Sequence, residues 1–464
     1  MHPNTGLNAR PLVFPQGVYF HISQLDHYFY KSPSLPPRQE LSAKRSVKTE
    51  LLVMNACRRP VRGARKQGEM QRLFRYYAIA ILCVSTLAYA IYLSAAVGLV
   101  DVTGRELVGR DFVNYYSASR LVLDAAGETL MKVGEYRAYL QSQYDIALGL
   151  NWSYPPHYLF FVLPLGLVGY LPAYALWIGV GAALFVAATR CSFEPQHSRW
   201  STYILFTLAA PAFLINAAFG QNGLITGALL FLGVRLARSR PILAGICLGA
   251  LTVKPQLGLL IPVFLLLRGH WTVIASAVVT CFLMVGLSAL VFGVDMWRDY
   301  FGHVLPFQRI VAEEGTGIFL RMMPTGFALG RLAGLDASSA MLIQAPFSLL
   351  ALGLTVWTFR KPSAAPEMEC ALLLVAIFLF SPYAFNYDML ALVPALYLVL
   401  TREAGDGPAL TRFNLVLGAL LLLPMITFLA PLGPVILTAS AFLLVQKIAV
   451  ARGSTTPSAS TPAN

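Results

Sequence analysis

Several short stretches of this chain hold groups suited to acid–base or charge-stabilising chemistry, and all sit beside long apolar runs. In "GRDFVNYYSASR", residues 109–120, Asp111, Asn114 and Tyr115 fall at i, i+3 and i+4, one face of a helix. Such a face can hold a carboxylate against hydroxyl-bearing ligands. A loop acid next to a loop arginine is otherwise a solvated ion pair worth ~0 to 1 kcal/mol. "VKPQ", residues 253–256, places Lys254 and Gln256 inside an apolar segment. A lysine there costs roughly 2.5 to 3.5 kcal/mol and is tolerated beside an anion or a wet cavity. Pro255 breaks the helix at that point and frees backbone groups that must face something polar. The alternative is a lysine in a loop, reaching to water.

"NWSYPPH" (151–157), "FGQNG" (219–223) and "SPYAFNYD" (381–388) add Tyr154, Gln221, Asn222, Tyr387 and Asp388, and a later loop adds His303. The two prolines after Tyr154 set an extended entry into a helix. Gln221 and Asn222 are also ordinary turn formers, and Tyr387 and Asp388 suit a polar hairpin. His157, His270 and His303 have no metal-ligand spacing, so no metal and no cofactor is expected. The six cysteines lie far apart and frame neither a disulfide network nor a metal site.

The elements that must position these groups follow from composition. Of 464 residues, 57% are hydrophobic and 12% charged, and the mean hydropathy is +0.62. An average soluble domain has roughly 25% charged residues, so the fold class expected is all-α: a polytopic transmembrane helical bundle. The formal charge of +13 comes largely from the N-terminal region and short loops between apolar runs. That is the pattern of cytoplasmic loops in a membrane protein, and no nucleic-acid partner is inferred.

Residues 1–70 are basic, rich in Pro and Ser, and lack a long apolar run. They are read as a disordered extension, with Met54 and Met70 as alternative starts, and truncation to Met70 is expected to leave insertion and activity intact. Residues 71–450 form the membrane domain and 451–464 a disordered tail. The first span, about 76 to 100, leads to an outer loop in which Tyr136, Leu140 and Tyr144 have the spacing of a helix lying on the membrane surface. Further apolar runs bring the total to about twelve spans, with both termini inside. Segment 158–189 crosses once or twice, and 241–267, interrupted by "VKPQ", does the same. The polar stretches then collect at the outer face, which suggests one site.

Taken in order, "GRDFVNYYSAS" after the first span, "YPP", "GQNG", "VKPQ" and "SPY" followed by "YD" resemble the family-87 glycosyltransferases, the DUF2029 group of membrane mannosyltransferases, over about residues 75–450. The resemblance implies a GT-C-like fold and an inverting hexosyltransferase in the bacterial inner membrane, facing outward. Its donor would be a polyprenyl-phosphate sugar, usually mannose, and its acceptor a glycolipid or glycan. Asp111 would be the general base, and Lys254, Arg110 and Gln256 would hold the donor phosphate. Asn114, Tyr115, Tyr154, Gln221, Asn222, His303, Tyr387 and Asp388 would contact substrate. Where relatives often carry a histidine near the "SP" motif, this chain has Asn386, Tyr387 and Asp388. Lys254→Met is expected to keep the fold, since it removes a buried charge.

Two other classes share part of this pattern. A secondary transporter also has about twelve spans and charges at broken helices, but no second copy of "GRDFVNYY" or "VKPQ" marks a repeated half. A lipid-linked glycan ligase or polymerase shares donor and side, but its outer loops would carry more arginine than Arg298, Arg309 and Arg321.

Overall fold

The computed structural model describes residues 107–144, 149–193, 200–403 and 411–453, with a few positions between 72 and 87. Most of the expected first span, the extension 1–70 and residues 454–464 lie outside these. The longer helices are α1 Phe112–Leu123, α2 Val133–Tyr144, α3 Tyr170–Arg190, α4 Trp200–Leu208, α5 Pro211–Phe219, α6 Gly223–Arg235, α7 Pro241–Ala250, α8 Ile261–Leu267, α9 Trp271–Phe292, α10 Leu305–Glu314, α11 Ala337–Phe359, α12 Pro366–Phe380, α13 Leu392–Glu403, α14 Arg412–Leu429 and α15 Gly433–Gly453. No strand occurs among the described residues. The protein is a membrane helical bundle.

The core is built on α12 and α13, whose apolar residues are buried on every face, Leu372 to Leu379 and Leu392 to Leu400 among them. A helix apolar all round belongs inside a larger bundle or in lipid. Helix α9 takes the second place: Phe282, Leu283 and Leu290 are exposed along it. It packs closely on α7 because "GICLG" puts Gly245 and Gly249 four apart. A side chain at Gly245 would come within 2.4 Å of Ser276, and one at Gly249 within 2.5 Å of the Ala277 carbonyl, the small-residue contact that lets membrane helices approach.

Against about twelve apolar runs, the described residues hold five helices long and apolar enough to cross alone, and a sixth if α4 and α5, bent by 59° before Pro211, count as one. The remaining runs are shorter or broken. Residues 156–167 stay beside α1: Ser119 Oγ donates to Leu163 O at 2.6 Å and accepts from Gly166 N at 2.9 Å. Within segment 158–189 only α3 is long and apolar enough to cross. Segment 241–267 runs to Lys254 and turns back, so that Arg238 before α7 and Arg268 after α8 line the same cavity. The bundle therefore has an arginine-rich end and, opposite it, an end that carries the polar motifs.

One expectation is corrected. The Tyr136–Leu140 stripe of α2 faces protein, not a membrane surface: both residues are fully buried in the cluster around Phe112 and Trp152, and Tyr144 and Ser117 share a hydrogen bond of 3.0 Å.

Candidate active site

Asp111 caps α1 and is held by two turns that are remote in sequence. Gly109 and Gly220 both have positive φ, +82° and +63°, conformations that cost glycine nothing. Asp111 N donates to Phe219 O at 3.1 Å, so the "GRDF" and "FGQN" turns dock backbone to backbone. A Cβ on Gly220 would meet Phe112 Cβ at 2.4 Å and Gly109 O at 2.9 Å. Arg110 adopts φ +39°, a left-handed conformation costing roughly 1–2 kcal/mol for an L-residue. Such strain is retained where the surrounding structure forces it, and it gathers at functional sites.

The Asp111 side chain is then orientated by a relay. Gln221 Nε2 donates to its Oδ2, Tyr115 Oη donates to Gln221 Oε1 at 3.3 Å, and Tyr115 and Tyr154 hydroxyls lie 2.9 Å apart. Burial pushes both phenols well above their ordinary range, so they act as neutral hydrogen-bonding groups. Trp177 Nε1 donates to the Gly220 and Gln221 carbonyls at 3.2 and 3.3 Å, which fixes the turn from α3. On the other side, Arg110 Nε stands 4.0 Å from Asp111 Oδ1, with its guanidinium over the Phe219 ring.

Lys254 lies at the apex of segment 241–267, between two single turns of 3₁₀ helix, Leu251–Val253 directly after α7 and Pro255–Leu257 beginning at the proline. Its Nζ donates to Asp388 Oδ1 at 2.6 Å and stands 4.5 Å from the Tyr387 ring centre. Asp388 is fully buried, and its segment is anchored from two sides. Asn386 N donates to Met322 O at 2.7 Å and Asn386 Nδ2 to Pro424 O at 3.0 Å. Asn216 Nδ2 donates to Tyr387 O at 2.8 Å while its Oδ1 accepts from Gly223 N at 2.7 Å. The departure at residues 386–388 is thus a pinned counter-ion for Lys254. It also corrects the expectation for Lys254→Met, because that change strands a buried carboxylate and is destabilising.

A cavity of about 420 Å³ opens between these elements. Arg110, Asp111, Asn114, Tyr115, Tyr154, Gln221, Lys254, Gln256 and Tyr387 all line it, although they come from five separate stretches. Three expected contacts do not. Asn222 is fully buried under the turn, Asp388 sits behind Lys254, and His303 is largely exposed, 3.5 Å from Asp299. Asn114 reaches the cavity but already accepts from Tyr136 Oη at 3.0 Å.

The sequence reading missed the far wall. Leu305, Gln308 and Val311 of α10 line the cavity, and Gln308 Nε2 donates to Ser153 Oγ at 3.0 Å, tying this wall to the "NWSYPP" loop. The i, i+3, i+6 spacing of the three was the available signal. Among the described residues, no group of three or more His, Cys, Asp or Glu side chains could hold a metal.

The arrangement offers a fixed carboxylate, two cations and a rim of aromatic hydroxyls around one cavity. Neither a curated protein nor a solved structure matches the chain. A family model does match, over residues 152–382. That stretch contains Tyr154, Gln221, Lys254 and Gln256 and leaves Asp111 and Tyr387 on either side of it. With the broken-helix cavity and the membrane bundle on which it is built, the match identifies the chain as a member of glycosyltransferase family 87.

Proposed function

We propose that this membrane glycosyltransferase is an inverting hexosyltransferase that uses a polyprenyl-phosphate sugar, mannose by the family resemblance, and that its cavity faces outward from the bacterial inner membrane. The observation that carries the reading is that Asp111 shares one cavity with Arg110 and Lys254, a base within reach of groups suited to a phosphate. Asp111 takes the proton of an acceptor hydroxyl on a glycolipid or glycan as that oxygen bonds to the anomeric carbon. The bond from the same carbon to the phosphate oxygen breaks, and the lipid phosphate leaves with the electron pair. Charge developing on phosphate is met by Arg110 and the Lys254 ammonium, fixed donors of the kind that stabilise a transition state most effectively. Gln256 lies next to them in the wall, and Tyr115, Tyr154 and Tyr387 offer rings and hydroxyls to sugars. Such a leaving group needs no cofactor.

The test is transfer from radiolabelled polyprenyl-phosphate mannose, with the glucose and arabinose analogues alongside, by purified protein in lipid. Transfer from the mannose donor, lost in Asp111→Asn but kept in Asp124→Asn, is the expected result. Equal activity in the two variants removes Asp111 from the mechanism.

A further inference from the structure

The arginine-rich end holds a second cavity, of about 610 Å³, in the range of ligand sites. Arg235 ends α6, Arg238 follows it, and Arg268 and His270 lie between α8 and α9; the start of α12 closes the wall with Glu367 and Glu369. Both acids are already committed. Glu369 accepts from Arg268 at 2.7 Å and stands 3.8 Å from Arg452, and Glu367 pairs with Arg402. Arg235 and Arg238 make no ion pair within 4 Å among the described residues, although Arg238 is near enough to Glu369 to act on its carboxyl. The Arg235 Nε is shielded from solvent and makes no hydrogen bond, and a buried donor left unmade calls for an explanation. Burial, and after it the Arg268 and Arg238 guanidinium groups, holds His270 below its ordinary value.

We propose that this cavity binds a phosphate-bearing anion, the head group of an anionic membrane lipid or free phosphate. Guanidinium forks match tetrahedral oxyanions and can bind them bidentately. Phe264 and Phe359 line the same wall, so a bound phosphate can continue into an apolar chain. Basic pockets between membrane helices at this level are suited to acidic head groups. The cavity shares no lining residue with the one around Asp111.

The experiment uses the full chain in nanodiscs. Thermal unfolding is followed in phosphatidylcholine, in phosphatidylcholine with phosphatidylglycerol, and in phosphatidylcholine with inorganic phosphate against chloride at equal ionic strength. Phosphatidylglycerol is expected to raise the midpoint of the wild type, and Arg235→Gln with Arg238→Gln to weaken its apparent affinity roughly fivefold for each arginine removed. Replacement of both by lysine should restore part of the effect. A rise with inorganic phosphate alone supports the site and assigns it to free phosphate. No rise with either probe, or an equal rise in the glutamine variant, overturns it. Native mass spectrometry of the wild type supplies a readout that does not depend on variant folding: failure to retain either probe also overturns it.

Discussion

The two ends of the bundle manage charge in opposite ways. At the site end Arg110, Asp111, Lys254 and Asp388 are two cations and two anions, and the closest pair, Lys254 with Asp388, is almost wholly excluded from solvent at 4% and 0% side-chain exposure. At the other end the Arg268–Glu369 pair is 17% and 12% exposed, and the arginines outnumber the acids around it. A charge deep in an apolar bundle is stable only with its partner in place, whereas one near the boundary can share several partners or use water. The site end holds strained backbone, broken helices and a buried ion pair, and the arginine end has ordinary helix termini.

The sharpest way to break this comparison is Asp111→Asn. A positioned general base contributes about 10² to 10⁴ in rate, so transfer should fall by that factor while donor binding is kept. A fall of less than tenfold would make the site end no more chemical than its opposite. Next, Lys254→Met should lower stability by about 3–5 kcal/mol because it leaves Asp388 buried and unpaired. The double variant Lys254→Met with Asp388→Leu should recover most of that loss, as read by thermal unfolding in detergent. Equal stability of the single and double variants would show that the pair is not coupled. Gly220→Ala tests the docking of the two turns. Left-handed backbone costs alanine roughly 1–2 kcal/mol, and the clash with Phe112 should also displace Asp111 and lower transfer. Wild-type activity in that variant would separate the turn from the site. The smallest effect is expected at the arginine end: Arg268→Gln should cost about 1–3 kcal/mol, less than Lys254→Met because Glu369 keeps Arg452 nearby. A loss comparable to that of Lys254→Met would erase the contrast between the two ends.

Much of the site could be nominated from residue types out of place. An acid beside an arginine after the first apolar run and a lysine before a proline within another are local signals, and both line the cavity. Their partners were less accessible. Lys254 and Asp388 are 134 positions apart, and no periodicity links them, so Asp388 read as a ligand contact when it is a counter-ion. Likewise, the spacing of Tyr136, Leu140 and Tyr144 identifies a helix, but an apolar stripe fits lipid and protein equally well.

Hydropathy alone determined that this chain is a helical membrane bundle, because backbone groups in hydrocarbon must be paired within each helix. The order of its motifs carried the family resemblance in the same way. Only the tertiary structure decided that 241–267 turns back at Lys254, that α2 faces protein, and that α10 forms a wall of the cavity. Each of these depends on which surface meets which across long sequence separations. Glycines at 109, 220, 245 and 249 mark where such close approaches are possible, but the partner that comes close is fixed only when the whole bundle has packed.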